Sequence, residues 1–202
     1  VTNIAPWCTQ IIRSDFHFRG HLRKTELMGL IPAYEYDTFL FLDSDTIILR
    51  DITLGFEKSE KFGIAVSPAP HYSLEKFWGF DEVMRSHGTP LQGQMQYNTG
   101  VIFFSNYGSV QLVFRTWKSL AERYSWLCQN DQPFFSLALE ECEFNPYTLT
   151  SAYNYRGFGE LISGDVRIWH SHGELPQGLN SYEKSWPPRR AWPGYVEHPE
   201  CD

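Results

Sequence analysis

The sequence predicts an α/β domain with a Rossmann-like mixed sheet flanked by helices, and three features of its 202 residues carry that expectation. Short runs with no polar face, Phe39 to Leu42, Gly63 to Ser67 and Val101 to Phe104, suit strands buried on both sides. Segments with apolar residues at helical spacing, around Leu22 to Ile31 and Val110 to Leu120, stand between or after them. The length fits one domain with a sizeable core, so a single domain over 1–202 is expected, with an irregular Pro-rich tail from about 187.

In chain order, Ile11-Ile12 reads as the end of a strand and SDFHFRG as a loop. A helix is expected from His21 to Ala33, stopped around Pro32, with Arg19, Arg23 and Lys24 at its start. These cations either solvate a helix end or reach a phosphate or sugar beside the site. The first buried strand follows at Phe39 to Leu42, and a second apolar run, Ile47 to Leu49, leads into the charge pair Arg50-Asp51. Lys58 to Phe62 reads as a polar turn or short helix, and Gly63 to Ser67 as another buried strand.

Residues 68 to 96 are rich in Pro, Gly, His and aromatics, with a weak helix near Leu74 to His87. A long irregular insertion in a compact domain is usually functional. Acceptor contacts are therefore expected there, from His71, Tyr72, Trp78 or Phe80. Gly100, ahead of the strand Val101 to Asn106, suggests close backbone approach to another group, and Asn98 offers a donor and an acceptor at the mouth of that strand. Val110 to Tyr124 is an amphipathic helix. Gln129 to Pro133 looks like the capped start of another that runs on through Leu139, and from this context Asp131 need be nothing more than a cap. Phe144 to Thr150 is a short strand candidate, followed by Tyr153-Asn154-Tyr155-Arg156.

The net charge of −7 and absence of a basic stripe argue against a nucleic-acid partner. No run approaches the roughly 18 apolar residues of a membrane span, and the first residues lack the regions of a signal peptide. Cys8, Cys128, Cys142 and Cys201 stand far apart, which suggests neither a zinc site nor a disulfide framework. Free thiols in a reducing compartment, and so a cytoplasmic location, are expected.

The chemistry concentrates at Asp43-Ser44-Asp45, at the carboxyl end of the first buried strand, where open α/β sheets place ligands. Two carboxylates one residue apart repel unless a cation lies between them, and oxygen ligands favour manganese or magnesium. A single Asp there would more simply cap a turn. Near the end of the chain, Val166 to Gly173 reads as a strand that carries His170 and His172, and one of the two is expected to serve the site. An imidazole joining the two acids would complete a mixed nitrogen and oxygen set for manganese.

The ordered set of a hydrophobic strand into DSD, then YNTGVIFF, NDQPFF, YNYR and IWHSHG, spread over residues 36 to 173, resembles the glycogenin-like nucleotide-sugar glycosyltransferases of family 8, with the GT-A fold. The resemblance implies a UDP-sugar donor, a glycan, lipid-linked or protein acceptor, and retention of anomeric configuration. It implies manganese, with magnesium as the alternative, held by Asp43, Asp45 and His170, and His172 is the other candidate ligand. Asp45 would be the more direct metal ligand and Asp43 would lie towards the ribose or sugar, with Ser44 between them and Gly173 completing the His-x-x-Gly pattern. Asn98 and Gly100 would line the sugar pocket, Asp131 and Gln132 would touch the transferred sugar, and Lys24 or Arg23 matches the cation that precedes the acid motif.

Two departures stand out. The 42 residues ahead of the acid motif are fewer than in that family, so the part that grips uracil is expected to be shortened or missing, in a fragment or a trimmed domain. Pro176 stands where relatives often carry a diphosphate-binding Lys, for which Lys184, Arg189 or Arg190 would substitute. Two other functions compete. A haloacid-dehalogenase-like phosphatase also begins with an apolar strand and Asp-x-Asp, but wants Thr or Val where Ile47 stands and a later acidic pair. A GT-A-like module that binds without catalysis is the other.

Overall fold

The computed structural model describes residues 10–32, 35–69, 80–88, 95–156 and 165–170. All of them fall in one compact unit, Val1–His172, and the second unit, Gly173–Asp202, lies outside the described residues. Six strands and four α-helices are described: β1 (Thr38–Leu42), β2 (Thr46–Ile48), α1 (Thr53–Phe62), β3 (Ile64–Pro68), α2 (Phe80–His87), β4 (Tyr97–Ser105), α3 (Gly108–Tyr124), α4 (Asp131–Glu141), β5 (Tyr147–Thr148) and β6 (Ile168–His170). The expected mixed sheet is present, ordered β1-β4-β3-β5, with β3 and β5 parallel and the other pairs antiparallel. A separate antiparallel ribbon joins β2 to β6.

β4 is the central strand, buried along its whole length, and its alternation divides the core. Ile102 and Phe104 face α3 and α4, in a cluster with Val113, Phe114, Trp117, Phe134 and Phe135. Val101 and Phe103 face the other way, with Ala65, Leu149, Tyr153 and Ile168. The period of two thus places α3 and α4 on one face and α1 on the other. Gly55 lets α1 lie close to the sheet, since a Cβ there would land on the Phe103 ring. Trp117, fully buried, donates its indole N–H to the carbonyl of Asp131 at 2.8 Å, which pins the start of α4 to the middle of α3.

Several expectations need correction. β1 is half-buried, because it is an edge strand of the described sheet; Phe39 and Phe41 pack against one core cluster, Leu40 and Leu42 against the other. Residues 11 and 12 are exposed and irregular, and no strand ends there. The helix expected from His21 is a 3₁₀ helix, Gly20–Gly29, in which Thr25 Oγ1 bonds the carbonyl of Leu22. Such side-chain bonding competes with α-helical geometry.

Lys58 to Phe62, expected as a polar turn or short helix, is helical and forms the second half of α1, whose start is tied by Asp51: its Oδ1 accepts from the Thr53 N–H and hydroxyl, which hold the carboxyl below its ordinary range. Asn98 and Gly100 lie inside β4 rather than in a turn before it. The strand expected over Phe144 to Thr150 shrinks to Tyr147–Thr148, and that over Val166 to Gly173 is described as Ile168–His170.

Within the insertion, α2 begins at Phe80, which is fully buried and packs edge-on to Phe134 at 5.4 Å. It is core, not an acceptor contact. His71, Tyr72 and Trp78 lie outside the described residues. Cys128 and Cys142 carry free thiols, whereas Cys8 and Cys201 are not described. No described helix is long and apolar enough to cross a membrane.

Candidate functional site

The site forms where β1 ends. The chain reverses over Asp43 to Thr46, as Thr46 returns both its N–H, at 3.2 Å, and its hydroxyl, at 2.7 Å, to the Asp43 carbonyl. This turn leaves Ser44 exposed and carries Asp43 and Asp45 on its two sides. β2 starts at Thr46, and its register with β6 sets Thr46 opposite His170. Strand pairing therefore delivers the imidazole beside the second acid. His170 Nε2 lies 3.3 Å from Asp45 Oδ1 and 3.7 Å from Asp43 Oδ2.

Asp43, Asp45 and His170 each offer one ligand atom, and these atoms all lie within 4.8 Å of one another. The set of two carboxylate oxygens and one imidazole nitrogen fits a manganese or magnesium ion. Exposure is graded across the site: the side chain of His170 is 3% exposed, Asp43 21% and Asp45 38%. The imidazole is the floor and Asp45 the mouth, so a further ligand can approach from the solvent side. Gly100 gives the site its depth, because a Cβ there would overlap the His170 ring and come within 3.0 Å of Asp43 Oδ2. The close backbone approach expected at this glycine is thus to the imidazole.

A second cluster adjoins the first through Lys24. Its Nζ lies 2.7 Å from Asp43 Oδ2 and 3.7 Å from Asp131 Oδ2, so one ammonium serves two acids. Arg23, the alternative cation, is exposed, bonds the Gly20 carbonyl and lies over the Phe16 ring. Asp131 is the first residue of α4, but its neighbour Asn130 caps the helix by accepting from the Gln132 N–H at 3.1 Å. Asp131 is thereby released from capping. Its Oδ2 accepts from Thr99 Oγ1 at 2.6 Å, and burial pushes its carboxyl above the ordinary range even though Lys24 and Thr99 pull it down. The amide nitrogen of Gln132 is buried without a hydrogen-bond partner among the described residues.

Asn98 turns inward on its own strand. Its Oδ1 accepts from the Gly100 N–H at 2.9 Å, and its carbonyl accepts from Asn154 Nδ2 at 3.3 Å. Thr99 and Asn154 were not singled out by the sequence. Nothing local signals the contact of Thr99 with Asp131, 32 positions away, or that of Asn154 with His170. Of the remaining candidates, His172, Gly173, Lys184, Arg189 and Arg190 lie outside the described residues.

The architecture is that of the GT-A glycosyltransferase fold. Among solved structures it is similar to the galactosyltransferase LgtC in complex with donor and acceptor sugar analogs, with a TM-score of 0.50, 15% identity, and coverage of 80% of this chain and 64% of that one. An active-site mutant of LgtC aligns with a TM-score of 0.52 and 14% identity over 80% of this chain and 64% of the other. Mouse xyloside xylosyltransferase 1, in its apo form, aligns at 0.49 with 16% identity, over 75% and 63% of the two chains. At these identities the likeness is one of fold, and the chain spans under two thirds of the length of each of these structures. No family model and no curated protein matches the sequence.

Proposed function

We propose that this chain is a glycosyltransferase that moves a hexose from a UDP-sugar to a glycan, lipid-linked or protein acceptor, with retention of anomeric configuration. The observation that carries this reading is the convergence of Asp43, Asp45 and His170 at the end of β1, in a GT-A fold. These three residues would hold manganese, or magnesium in its place. Bound there, the cation would supply Lewis acidity to the diphosphate leaving group.

The other residues take roles that follow from their surroundings. Lys24, which steadies Asp43 and Asp131, would offer its ammonium to the leaving diphosphate. Asp131, oriented by the Thr99 hydroxyl, presents a carboxylate to the positive charge that develops at the anomeric carbon. Gln132 brings a buried amide N–H with no partner among the described residues, as a group reserved for a sugar hydroxyl would. Ser44 lies in the exposed turn beside the donor, Asn98 and Gly100 shape the sugar side, and Gly173 follows His170 in the same motif. The phosphatase alternative loses ground, because the group brought to the two acids is an imidazole and not a second acidic pair.

A thermal-shift panel of nucleotide sugars, each with and without manganese, tests the proposal when followed by assay of the products. UDP-sugars are expected to raise the melting temperature only with manganese, and to be slowly hydrolysed to UDP and free sugar. Absence of any shift across the panel, or release of phosphate from a phosphomonoester without nucleotide, contradicts it. Binding of UDP and manganese with neither hydrolysis nor transfer would identify a non-catalytic module.

A further inference from the structure

We infer that Asn154 is a positioning residue that locks His170 in the tautomer protonated on Nδ1, so that Nε2 presents its lone pair to Asp45 and Asp43. The inference rests on the metal site proposed above and adds to it the group that sets the state of its nitrogen ligand.

Asn154 follows a short 3₁₀ helix, Ser151–Tyr153, and is 3% exposed. Two contacts decide which way its amide points. One end lies 3.3 Å from the carbonyl oxygen of Asn98, which can only accept, so that end is the NH₂ group. The other end is then the amide oxygen, 2.8 Å from His170 Nδ1. An oxygen at that distance needs a proton on the nitrogen. Neutral imidazole has a single N–H, so placing it on Nδ1 leaves Nε2 as a lone-pair donor.

The ring has little room to choose otherwise. The His170 backbone N–H is bonded to the Tyr155 carbonyl at 2.9 Å, and the ring lies against the space that a Cβ on Gly100 would fill. A half-turn of the imidazole would set a carbon against the Asn154 oxygen and aim Nδ1 away from it. The other face of the ring gains from the fixed tautomer: a lone pair 3.3 Å from one carboxylate oxygen and 3.7 Å from another makes three donors converge without a proton between them. That arrangement is repulsive alone and favourable around a cation. A relay from the Asn98 carbonyl in β4, through the Asn154 amide, to the imidazole at the end of β6 therefore ties the sheet to the state of the ligand. Hydrogen bonds of this kind typically change metal affinity by about ten- to a hundred-fold when removed.

The test begins with the unmodified chain, labelled with ¹⁵N-histidine, free of metal and held at a pH where the imidazole is neutral. Long-range proton–nitrogen correlation spectra report which ring nitrogen carries the proton, and His170→Gln assigns the signal. The expected result is a protonated Nδ1 and a lone-pair Nε2 at His170. Manganese affinity, measured by electron paramagnetic resonance, is then compared in Asn154→Leu, which removes the acceptor, and Asn154→Asp, which keeps it. Asn154→Leu should lose about ten- to a hundred-fold in affinity, while Asn154→Asp should stay within a few-fold of the parent. A proton on Nε2 in the parent, or unchanged affinity in a folded Asn154→Leu, overturns the inference. If the parent binds no manganese, the proposed metal site fails, and the tautomer spectrum alone decides the role of Asn154.

Discussion

Lys24 Nζ stands 2.7 Å from Asp43 Oδ2 and so joins the 3₁₀ helix to the first acid of the motif. The same ammonium reaches the buried Asp131 at 3.7 Å, which makes it the charge that both acids depend on. Replacing Lys24 by Met should therefore destabilise the metal-free protein by about 3 kcal/mol near neutral pH, the usual scale for removing one partner of a buried ion pair. Urea denaturation measures this. The loss should shrink as the pH is lowered and Asp131, whose carboxyl burial raises above the ordinary range, takes up a proton.

Asp131 provides a second pH signal, because burial raises its folded carboxyl above the ordinary value. A raised folded value means that the folded state binds the proton more tightly than the unfolded state. The stability this contributes is complete below the unfolded carboxylate range, around pH 4, and is lost as the pH rises through the folded value. Asp131→Asn keeps an acceptor for Thr99 but has no proton to lose. The stability of the variant relative to the parent should rise with pH, as read from urea melts at several values. Glycosyl transfer by the variant should fall steeply.

Gly100→Ala tests the closeness of backbone to imidazole. The new Cβ would overlap the His170 ring, which cannot retreat without breaking its bond to Asn154. A cost of about 1–3 kcal/mol in stability is expected, as for other overpacked sites, together with loss of manganese binding. Calorimetric melting and metal titration measure the two effects separately.

Two buried glutamines that have unpaired amide atoms among the described residues should behave differently from each other. Gln96 is buried with both amide atoms unpaired among the described residues, and Gln132 with its nitrogen unpaired. Replacing either with Leu removes an unsatisfied polar group that costs about 1–3 kcal/mol, so both variants should melt higher than the parent. Gln132→Leu should pay for that gain in rate, since its amide is the one reserved for the sugar. Turnover measured beside melting temperature separates the two.

Much of this site was legible because its signals are local. The two-faced apolar pattern of Phe39 to Leu42 marks a strand, the two acids fall at its end, and IWHSHG marks a late histidine, which the structure brings to them as His170. What escaped depends on pairing between distant segments. β1 reads as fully buried because Phe39 to Leu42 is apolar throughout, yet only the topology makes it an edge. The cap at α4 was ambiguous among neighbouring polar residues, and the structure gives it to Asn130, which frees Asp131 for Thr99 and Lys24. Asn154 reaches Asn98 across 56 positions of sequence, a separation that no local pattern encodes. Lys24 and Arg23 are adjacent and chemically alike, so only the geometry of the 3₁₀ helix separates the residue that meets the acids from the one that turns to Phe16.

The central claim is that Asp43, Asp45 and His170 together hold a divalent cation that carries a nucleoside diphosphate. It is tested most directly by titrating manganese into the chain, with and without UDP, and following the free ion by electron paramagnetic resonance in the parent, Asp45→Asn and His170→Leu. One bound ion per chain, tightened by UDP and weakened at least about ten-fold in each variant, is the predicted result. Equal affinity in the parent and in both folded variants, or binding indifferent to UDP, would contradict the claim.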